Sequence, residues 1–390
     1  MGKAGDTVKP LAQQQLTTLL ADNARQIETP CYLYSVSQVA QNYQQLKDAL
    51  GTNLIYSMKA NNNTDLLLRS HHHLTDGIEI ASIGELNLVA GGGGNKYINN
   101  PSADKKFIRG ALASKATVII DNLVQLNMLQ EFVGKRPIKP VLLRLNSCIL
   151  KQFNPESPKV RPDHFGMDWD TTCQAIDICK EHNIPLAGFH LFNGSYSFAK
   201  AAVATAKAAL AVAESIEQRY EQSLSFINLG GGFSEHWSEE EFDFEAYRTL
   251  LKLFPEHITL AHETGRGLMA TAGFFATRVR YIKHIEHQQV AICDGGINQN
   301  FLLAKTENSF RKLKAPWIYK AGEQTDMPTA ACTYVGSSCS KDDVIGRQGE
   351  DAISPQVGDI CVYDDCGAYN ASYTLTPFLK LPEAKVYIIE

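Results

Sequence analysis

The stretch Tyr56-Ser57-Met58-Lys59-Ala60-Asn61 ends the first of a series of short apolar runs in the chain. Lys59 is the only charged residue between Leu54 and Asn63. A lysine at the end of a buried strand can lose its proton when burial and nearby charge disfavour the ammonium, and a neutral amine can attack a carbonyl group. The alternative is a lysine that merely ends a strand and points into water. The order of the segments that follow favours the first interpretation.

The apolar runs alternate with segments of helical apolar spacing. Eight short buried strands separated by helices are what a TIM-like (β/α)8 barrel, an α/β fold, requires. A doubly wound open sheet is the alternative, but no GxGxxG motif follows the first strand. The candidate strands are residues 54–58, 77–81, 96–99, 117–121, 140–146, 186–192, 225–230 and 258–263, and the candidate helices are residues 13–23, 38–50, 122–133, 172–182, 200–220 and 240–253.

The alternation of strands and helices does not continue to the C-terminus. The last part of the chain holds short β-rich segments, such as residues 359–363, separated by Gly, Asp and Pro. We therefore expect a (β/α)8 barrel over residues 35–275 and a C-terminal all-β domain, a sandwich or barrel, over residues 276–390. A strand at the end of residues 1–34 is expected to join the second domain.

The composition is that of an ordinary globular protein. Of the 390 residues, 44% are hydrophobic and 20% are charged, and the net charge of −5 gives no reason to expect nucleic acid or a membrane surface as a partner. No apolar run reaches the roughly 18 residues of a spanning helix. Nine scattered cysteines without a CxxC pair, and no signal-peptide pattern, predict reduced thiols in a cytoplasm. The tract His71-His72-His73 is interpreted as a helix end, so no metal is expected.

Leu229-Gly230-Gly231-Gly232-Phe233 ends the seventh candidate strand. Three glycines let backbone N–H groups converge on an anion without a Cβ in the way. A glycine triplet alone is weak evidence, and residues 91–94 form another glycine run, which we interpret as a loop. At the end of the seventh strand of a barrel, however, a phosphate site is the expected feature.

Two further motifs end the neighbouring strands. His262-Glu263-Thr264-Gly265-Arg266 ends the eighth, and its acid and guanidinium could form a surface ion pair. In a barrel mouth they could instead serve two ends of one ligand, the acid a ring nitrogen and the guanidinium a phosphate. Gly188-Phe189-His190-Leu191-Phe192-Asn193-Gly194-Ser195 ends the sixth strand and offers an aromatic face, an amide and a hydroxyl.

The motifs in this order resemble the pyridoxal-phosphate-dependent decarboxylases of the alanine-racemase fold, or fold type III. That family contains diaminopimelate, ornithine and arginine decarboxylases and several enzymes of siderophore pathways. The resemblance covers roughly residues 30–380. It implies a carboxy-lyase that uses pyridoxal 5'-phosphate to decarboxylate an L- or D-amino-acid substrate.

The resemblance also implies roles for the motif residues. Lys59 would hold the cofactor covalently, and Glu263 would keep its pyridine nitrogen protonated. The glycine triplet, with Ser195 and Arg266, would bind the phosphate. The tyrosine of Asp365-Cys366-Gly367-Ala368-Tyr369 would touch it as well. The residues implied to bind the cofactor are Lys59, Glu79, Arg144, Phe192, Ser195, Gly230, Gly231, Gly232, Glu263, Arg266 and Tyr369.

Gly336-Ser337-Ser338-Cys339 resembles the cysteine loop with which the family reaches across a dimer interface into the partner's active site. A homodimer with shared active sites is therefore implied. Cys339 would be catalytic, together with Lys59, and would return a proton to the substrate Cα. Without the resemblance, Cys339 would be interpreted as a buried structural thiol.

Several departures from the family pattern bear on the substrate. Phe192 stands where a histidine usually stacks on the cofactor ring, and Ser340 where an acid meets a distal amine. The segment that includes Asn300 lacks the Arg-Pro pair with which diaminopimelate decarboxylases hold a distal carboxylate. We expect a larger, carboxylate-rich conjugate of the siderophore-precursor kind, contacted by His190, Asn193, Ser340 and Asn300.

Three other functions remain open. The chain could be a diaminopimelate decarboxylase of lysine biosynthesis if neighbouring residues supply the missing contacts. It could be an amino-acid racemase, although the cysteine loop fits a decarboxylase better. A non-catalytic pyridoxal-phosphate-binding protein would need neither Cys339 nor a C-terminal β domain.

Overall fold

The computed structural model describes residues 11–23, 26–286, 288–304, 313–320 and 328–390. These residues fall into two compact units. The barrel unit lies within Asn42–Thr64 and His71–Leu268, and the sheet unit within Met1–Gln41, Asp65–Ser70 and Met269–Glu390.

The strands, in chain order, are β1 (Cys31–Ser35), β2 (Asn53–Ser57), β3 (Ile78–Ile80), β4 (Lys96–Asn99), β5 (Thr117–Ile120), β6 (Val141–Arg144), β7 (Leu186–His190), β8 (Phe226–Asn228), β9 (Thr259–Thr264), β10 (Gly273–Ile285), β11 (Gln288–Cys293), β12 (Trp317–Tyr319), β13 (Cys332–Val335), β14 (Val344–Gln348), β15 (Ile360–Tyr363) and β16 (Lys385–Ile389). The α-helices are α1 (Leu11–Asn23), α2 (Val36–Leu50), α3 (Thr64–Ser70), α4 (Ile83–Val89), α5 (Lys105–Ala113), α6 (Leu123–Gln130), α7 (Leu150–Phe153), α8 (Trp169–Glu181), α9 (Phe198–Tyr220), α10 (Phe244–Leu251) and α11 (Arg266–Met269).

The barrel unit is a closed parallel barrel of eight strands, β2 to β9 in sequence order. The barrel closes because β2 pairs with β9, with Asn53 opposite Ala261. This closure confirms the predicted (β/α)8 fold and excludes the open sheet. Each predicted barrel strand is present, with ends displaced by at most two residues. The barrel interior is a packed apolar core of Ile55, Tyr97, Ile119, Leu142, Ala187 and Ala261.

Side-chain caps fix where several barrel helices begin. The capping side chains accept a hydrogen bond from the backbone N–H three residues later, which satisfies one of the free donors at a helix start and contributes about 1 kcal/mol each. The caps are Ser82 for α4, Asp104 for α5, Asn122 for α6, Asp168 for α8 and Asp243 for α10. The helix end predicted at residues 71–73 corresponds to α3, which ends at Ser70, whereas α4 and α5 were not predicted.

The sheet unit is mostly β and holds an eight-stranded sheet. The strand β1, which follows Pro30, pairs antiparallel with β10 and parallel with β16. One face of this sheet is covered by α1, which buries Ala12, Leu16 and Leu20 at helical spacing against Leu33 and other apolar residues of the sheet. None of the helices formed by the described residues combines the length and the hydropathy that a membrane crossing requires.

Candidate active site

The carboxyl ends of the parallel strands meet at one end of the barrel, where most of the predicted site residues lie. Lys59 sits in the short 3-10 turn Met58–Ala60 directly after β2. Its Nζ lies 3.0 Å from each carboxylate oxygen of Glu79, at the end of β3. The Lys59 side chain is 45% exposed and that of Glu79 is 1% exposed. Lys59 is therefore exposed and ion-paired with Glu79 rather than enclosed by apolar side chains.

Glu79 is held by a second donor that the sequence did not single out. Asn99, at the end of β4, donates its Nδ2 to Glu79 Oε1 at 3.0 Å. A second acid lies near this pair: Glu85 accepts a hydrogen bond of 2.7 Å from Ala81 N. Burial raises the pKa of Glu85, and the charge of Glu79 raises it further. The sequence signal that could have revealed Glu85 is the capping box Ser82-x-x-Glu85.

Glu263 is buried at the end of β9, and two side chains converge on one of its oxygens. His190 Nε2, from the end of β7, lies 3.2 Å from Glu263 Oε1. Asn228 Nδ2, from the end of β8, donates to the same oxygen at 2.8 Å. Burial alone would raise the pKa of Glu263, but the His190 imidazole, the Lys59 charge and the Asn228 hydrogen bond lower it to about 2. Glu263 is therefore a buried anion at neutral pH.

The position of His190 differs from one expectation. His190 was expected to contact the substrate, but it is fully buried and its Nε2 faces Glu263. Neither of its buried ring nitrogens meets the geometric criteria of a hydrogen bond among the described residues, although Nε2 lies close to Glu263 Oε1. Phe192 lies beyond the end of β7, and its carbonyl accepts a hydrogen bond of 2.6 Å from Ser147 Oγ.

The backbone of the glycine triplet after β8 lies very close to the backbone of neighbouring segments. A Cβ on Gly230 would lie 2.1 Å from Leu191 O, and one on Gly231 would lie 2.1 Å from Glu263 O. Gly230 and Gly232 also have positive φ angles of 72° and 94°. The segment lies against the start of the 23-residue helix α9, where Phe198 N donates to Gly232 O at 3.3 Å. The positive end of the helix dipole favours an anion beside this segment.

Arg266 is the first residue of α11, and Ser195 lies in the loop between β7 and α9. The Arg266 guanidinium lies 4.7 Å from the centre of the Tyr196 ring, in a cation–π contact. Ser195 is exposed in the loop before α9. Asn193, in the same loop, donates its Nδ2 to Thr205 Oγ1 at 2.6 Å, while its Oδ1 is buried without a hydrogen-bond partner in the described part of the chain.

Arg144 ends β6 and is held on both sides. Its Nη1 lies 3.2 Å from Asp121 Oδ2, at the end of β5, and its guanidinium lies 4.3 Å from the centre of the Phe165 ring. Asp121 also accepts a hydrogen bond of 3.0 Å from Gly166 N. The arginine is thus buried, neutralised and fixed in orientation. Asp121 was not predicted, since only the three-dimensional structure shows which acid faces Arg144.

His262 precedes Glu263 in β9 and faces different partners. Its Nδ1 lies 2.8 Å from Thr52 Oγ1 and its Nε2 lies 2.9 Å from the Tyr247 hydroxyl. Burial lowers the pKa of His262 to about 3, so the imidazole is neutral. Its ring also packs against Phe198 at the start of α9, with ring centres 5.9 Å apart. His262 is thus a packing residue between the barrel and its helices.

Four predicted site residues lie in the sheet unit. Cys339 is exposed in the loop after β13, so it is not the buried thiol that the sequence alone suggested. Ser340, beside it, donates its backbone N–H to Ser338 Oγ at 3.2 Å. Tyr369 has a positive φ of 67°, and its ring lies 6.2 Å from that of Tyr373.

Asn300, the fourth, is fully buried in the sheet unit. Its Oδ1 accepts a hydrogen bond of 3.0 Å from Asn370, and its Nδ2 lies 3.6 Å from Cys366 Sγ. With both ends of its amide engaged, Asn300 is a structural residue and not the expected substrate contact.

The barrel mouth thus combines an ion-paired lysine, a buried anionic carboxylate beside a histidine, and a backbone cradle for an anion. Such a set can hold a ligand that carries a carbonyl group, a basic ring nitrogen and a phosphate. In the described ranges, no group of three or more His, Cys, Asp or Glu is arranged to hold a metal ion.

The sequence of the chain matches the model of one enzyme family. The sequence pattern described as the pyridoxal-dependent decarboxylase, pyridoxal binding domain, matches residues 36–270. That range includes all eight barrel strands and both Lys59 and Glu263.

Two relatives match across nearly the whole chain. A diaminopimelate decarboxylase of Vibrio cholerae serotype O1 is 27% identical over 376 residues, which cover 90% of this chain and 85% of the relative. A 2-[(L-alanin-3-ylcarbamoyl)methyl]-2-hydroxybutanedioate decarboxylase of Staphylococcus aureus is 26% identical over 383 residues, which cover 92% of this chain and 94% of the relative.

Among solved structures, the lysine/ornithine decarboxylase of Vibrio vulnificus in complex with putrescine superposes with a TM-score of 0.77. The superposition covers 96% of this chain and 98% of that enzyme, at 22% sequence identity. At that identity the likeness shows a shared fold.

Proposed function

This chain belongs to the pyridoxal-dependent decarboxylase family, and we propose that its substrate is a carboxylate-rich amino-acid conjugate of the siderophore-precursor kind. It is a decarboxylase that uses pyridoxal phosphate and acts on an amino-acid substrate. When bound, pyridoxal phosphate supplies a conjugated ring that accepts the electron pair of the Cα–carboxylate bond as CO₂ leaves.

The barrel mouth fits this cofactor. We assign the phosphate to the glycine cradle, the segment of Gly230, Gly231 and Gly232 that lies against the start of α9. Glu263, an anion in a buried site, would hold a protonated pyridine nitrogen, and the exposed amine of Lys59 would hold the cofactor covalently. The Glu263 carboxylate beside the glycine cradle is the observation that carries this assignment. We also assign cofactor contacts to Arg144, Phe192, Ser195, Arg266 and Tyr369, with Glu79 beside the lysine.

Glu79 and His190 have supporting roles at the site. Glu79 holds the Lys59 ammonium at 3.0 Å, so the amine stays at the end of β2 when it is not bound to the cofactor. The imidazole of His190 stabilises the Glu263 anion in a buried site. Such fixed charges cost no reorganisation when charge develops during the reaction.

We assign the return of a proton to the substrate Cα to Cys339, acting in the partner subunit's active site of a homodimer. Cys339 is exposed on a loop, so its thiol is open to a second subunit. The assignment of this loop to a shared site rests on its resemblance to the cysteine loop of the family. Lys59 and Cys339 are then the two catalytic residues.

The two relatives are named for different substrates at nearly equal identity, so the side chains of this chain carry the substrate proposal. Ser340 stands where the family has an acid that binds a distal amine of the substrate. A substrate with such an amine would lose a charge-assisted hydrogen bond of roughly 1.5–3 kcal/mol here, which lowers the selectivity for it about 10- to 150-fold. No Arg-Pro pair follows Gly296 to hold a distal carboxylate. The Staphylococcus aureus relative, by its name, acts on an alanine unit joined through an amide to a hydroxybutanedioate, which is a conjugate of the proposed kind.

The test compares kcat/KM for diaminopimelate, ornithine and a citrate-linked diamino acid, with CO₂ release as the readout. We expect the conjugate to be preferred by about tenfold or more, in line with the lost hydrogen bond. Turnover of free diaminopimelate at about 10⁴ M⁻¹s⁻¹ or above would instead support the second candidate, a diaminopimelate decarboxylase, which the Vibrio cholerae relative favours.

A further inference from the structure

Asn228 is a fully buried polar residue at the end of β8 that neither the motifs nor the family resemblance singled out. Its Nδ2 donates to Glu263 Oε1 at 2.8 Å, and its Oδ1 accepts from Gly230 N at 3.0 Å. The backbone N–H of Glu263 in turn donates to Gly230 O at 2.8 Å. These three hydrogen bonds form a closed circuit among Asn228, Gly230 and Glu263.

The chemistry of the partners requires an amide at position 228. The anionic carboxylate of Glu263 can only accept a hydrogen bond, and the backbone N–H of Gly230 can only donate one. A side chain of this length that donates on one side and accepts on the other is that of asparagine. Aspartate would retain the acceptor and lose the donor, and an apolar residue would leave both partners without a bond.

We propose that Asn228 is a positioning residue that ties the acid of the cofactor ring to the glycine cradle of the cofactor phosphate. The inference rests on the roles proposed above for Glu263 and for Gly230–Gly232. The cofactor is a rigid ring with its nitrogen and its phosphate at fixed separation. Groups that hold both ends must keep their spacing to within about 0.5 Å, and a direct bond between them achieves this.

The charges around Glu263 make the effect of a charged side chain at position 228 measurable. His190 faces the carboxylate from β7 at 3.2 Å, and the Lys59 charge acts on it from the end of β2. Both stabilise the anion, and Asn228 is the neutral member of the set. A carboxylate placed at position 228 would lie within hydrogen-bond distance of the Glu263 carboxylate, and two such groups bind a shared proton.

The first test is Asn228→Asp in protein freed of cofactor and titrated with pyridoxal phosphate, with binding followed by absorbance from pH 6 to 8. We expect the dissociation constant to rise about tenfold or more at pH 8, as for the loss of a charge-assisted hydrogen bond. The ratio of the dissociation constant of the variant to that of the wild type should decrease as the pH falls, because a proton shared by the two carboxylates restores the hydrogen-bond donor. A purely structural defect would not follow the pH in this way.

The matched control is Asn154→Asp, outside the proposed site. Asn154 also bridges backbone groups with its amide, donating to Ala204 O at 3.1 Å and accepting from Glu156 N at 3.2 Å. This variant should bind the cofactor as the wild type does at every pH. In the double variant Asn228→Asp/Glu263→Gln, the amide at position 263 donates and the carboxylate at position 228 accepts. The ratio of its cofactor dissociation constant to that of Glu263→Gln alone should therefore be independent of pH.

The outcomes separate this inference from the proposed function. Wild-type affinity of Asn228→Asp at every pH would overturn the positioning role while leaving the role of Glu263 intact. An unchanged spectrum and turnover in Glu263→Gln would overturn the role of Glu263 itself. If Asn228→Asp does not fold, Asn228→Ser removes both bonds without adding charge, and an affinity within twofold of the wild type would again overturn the inference.

Discussion

His190 Nε2 lies 3.2 Å from Glu263 Oε1, although the two residues end β7 and β9, which are separated in the barrel by β8. The contact is buried, and it places an imidazole beside the acid proposed to serve the cofactor ring. The intervening strand contributes Asn228 to the same oxygen. Residues from three successive strands therefore surround one carboxylate, and they stabilise the Glu263 anion in a buried site.

Lys59 is expected to be the residue that binds the cofactor covalently. Borohydride reduction of the protein loaded with pyridoxal phosphate should attach the cofactor to the peptide that contains Lys59, because this amine is exposed at the barrel mouth. Mass spectrometry of the digested protein makes the measurement, and Lys59→Ala, which should take up no label, is the control. Labelling of a different lysine would disprove the assignment.

Glu263→Gln is expected to retain the cofactor and to slow decarboxylation by about 10² or more, as the loss of other electrostatic stabilisers does. A neutral amide has nearly the same shape as the carboxylate, but it cannot keep a ring nitrogen protonated. The measurement is the rate of CO₂ release at saturating cofactor, alongside the cofactor dissociation constant. Near-normal turnover would show that the ring nitrogen has another partner.

The shared active site predicts complementation between two inactive variants. Lys59→Ala and Cys339→Ala proteins, mixed and allowed to exchange subunits, should recover up to about a quarter of the wild-type activity. Half of the dimers are then mixed, and each mixed dimer has one site that escapes both changes. Exchange is verified with differently tagged subunits, and each variant incubated alone is the control. An absence of recovery despite exchange would rule out the shared site.

His262 should make the stability of the protein depend on pH. The folded-state pKa of about 3 lies below the ordinary value of 6.5, so the unfolded chain binds the proton first as the pH falls. The contribution is complete above pH 6.5 and is lost as the pH falls toward 3, by up to about 1.4 kcal/mol per pH unit. Urea unfolding at pH 7, 6 and 5 measures this slope. His262→Gln should show a smaller slope than the wild type, and an equal slope would assign the effect to other groups.

The barrel could be predicted from the sequence because its strands are buried on both faces. Runs such as Val141–Arg144 are continuous apolar segments, and glycines and polar residues mark their ends. Lys59, Glu263 and the glycine triplet were found for the same reason, since each directly follows or ends such a run. The helices α4 and α5 carry no such continuous apolar run and were missed.

The partners of the site residues could not be predicted. Asn99, Asp121 and Asn228 come from different strands, and a sequence does not show which side chains meet across a barrel mouth. Beyond a strand end the alternation of side chains no longer determines which residue faces the interior.

The position of β1 between β10 and β16 has a consequence for the growing chain. The strand Cys31–Ser35 leaves the ribosome before the whole barrel, yet both of its neighbours in the sheet are synthesised after the barrel. Its backbone N–H and C=O groups therefore have no sheet partner while the barrel is being synthesised. Pairing between segments so far apart in the chain is slow to form, so β1 must stay available for pairing until β10 and β16 have been made.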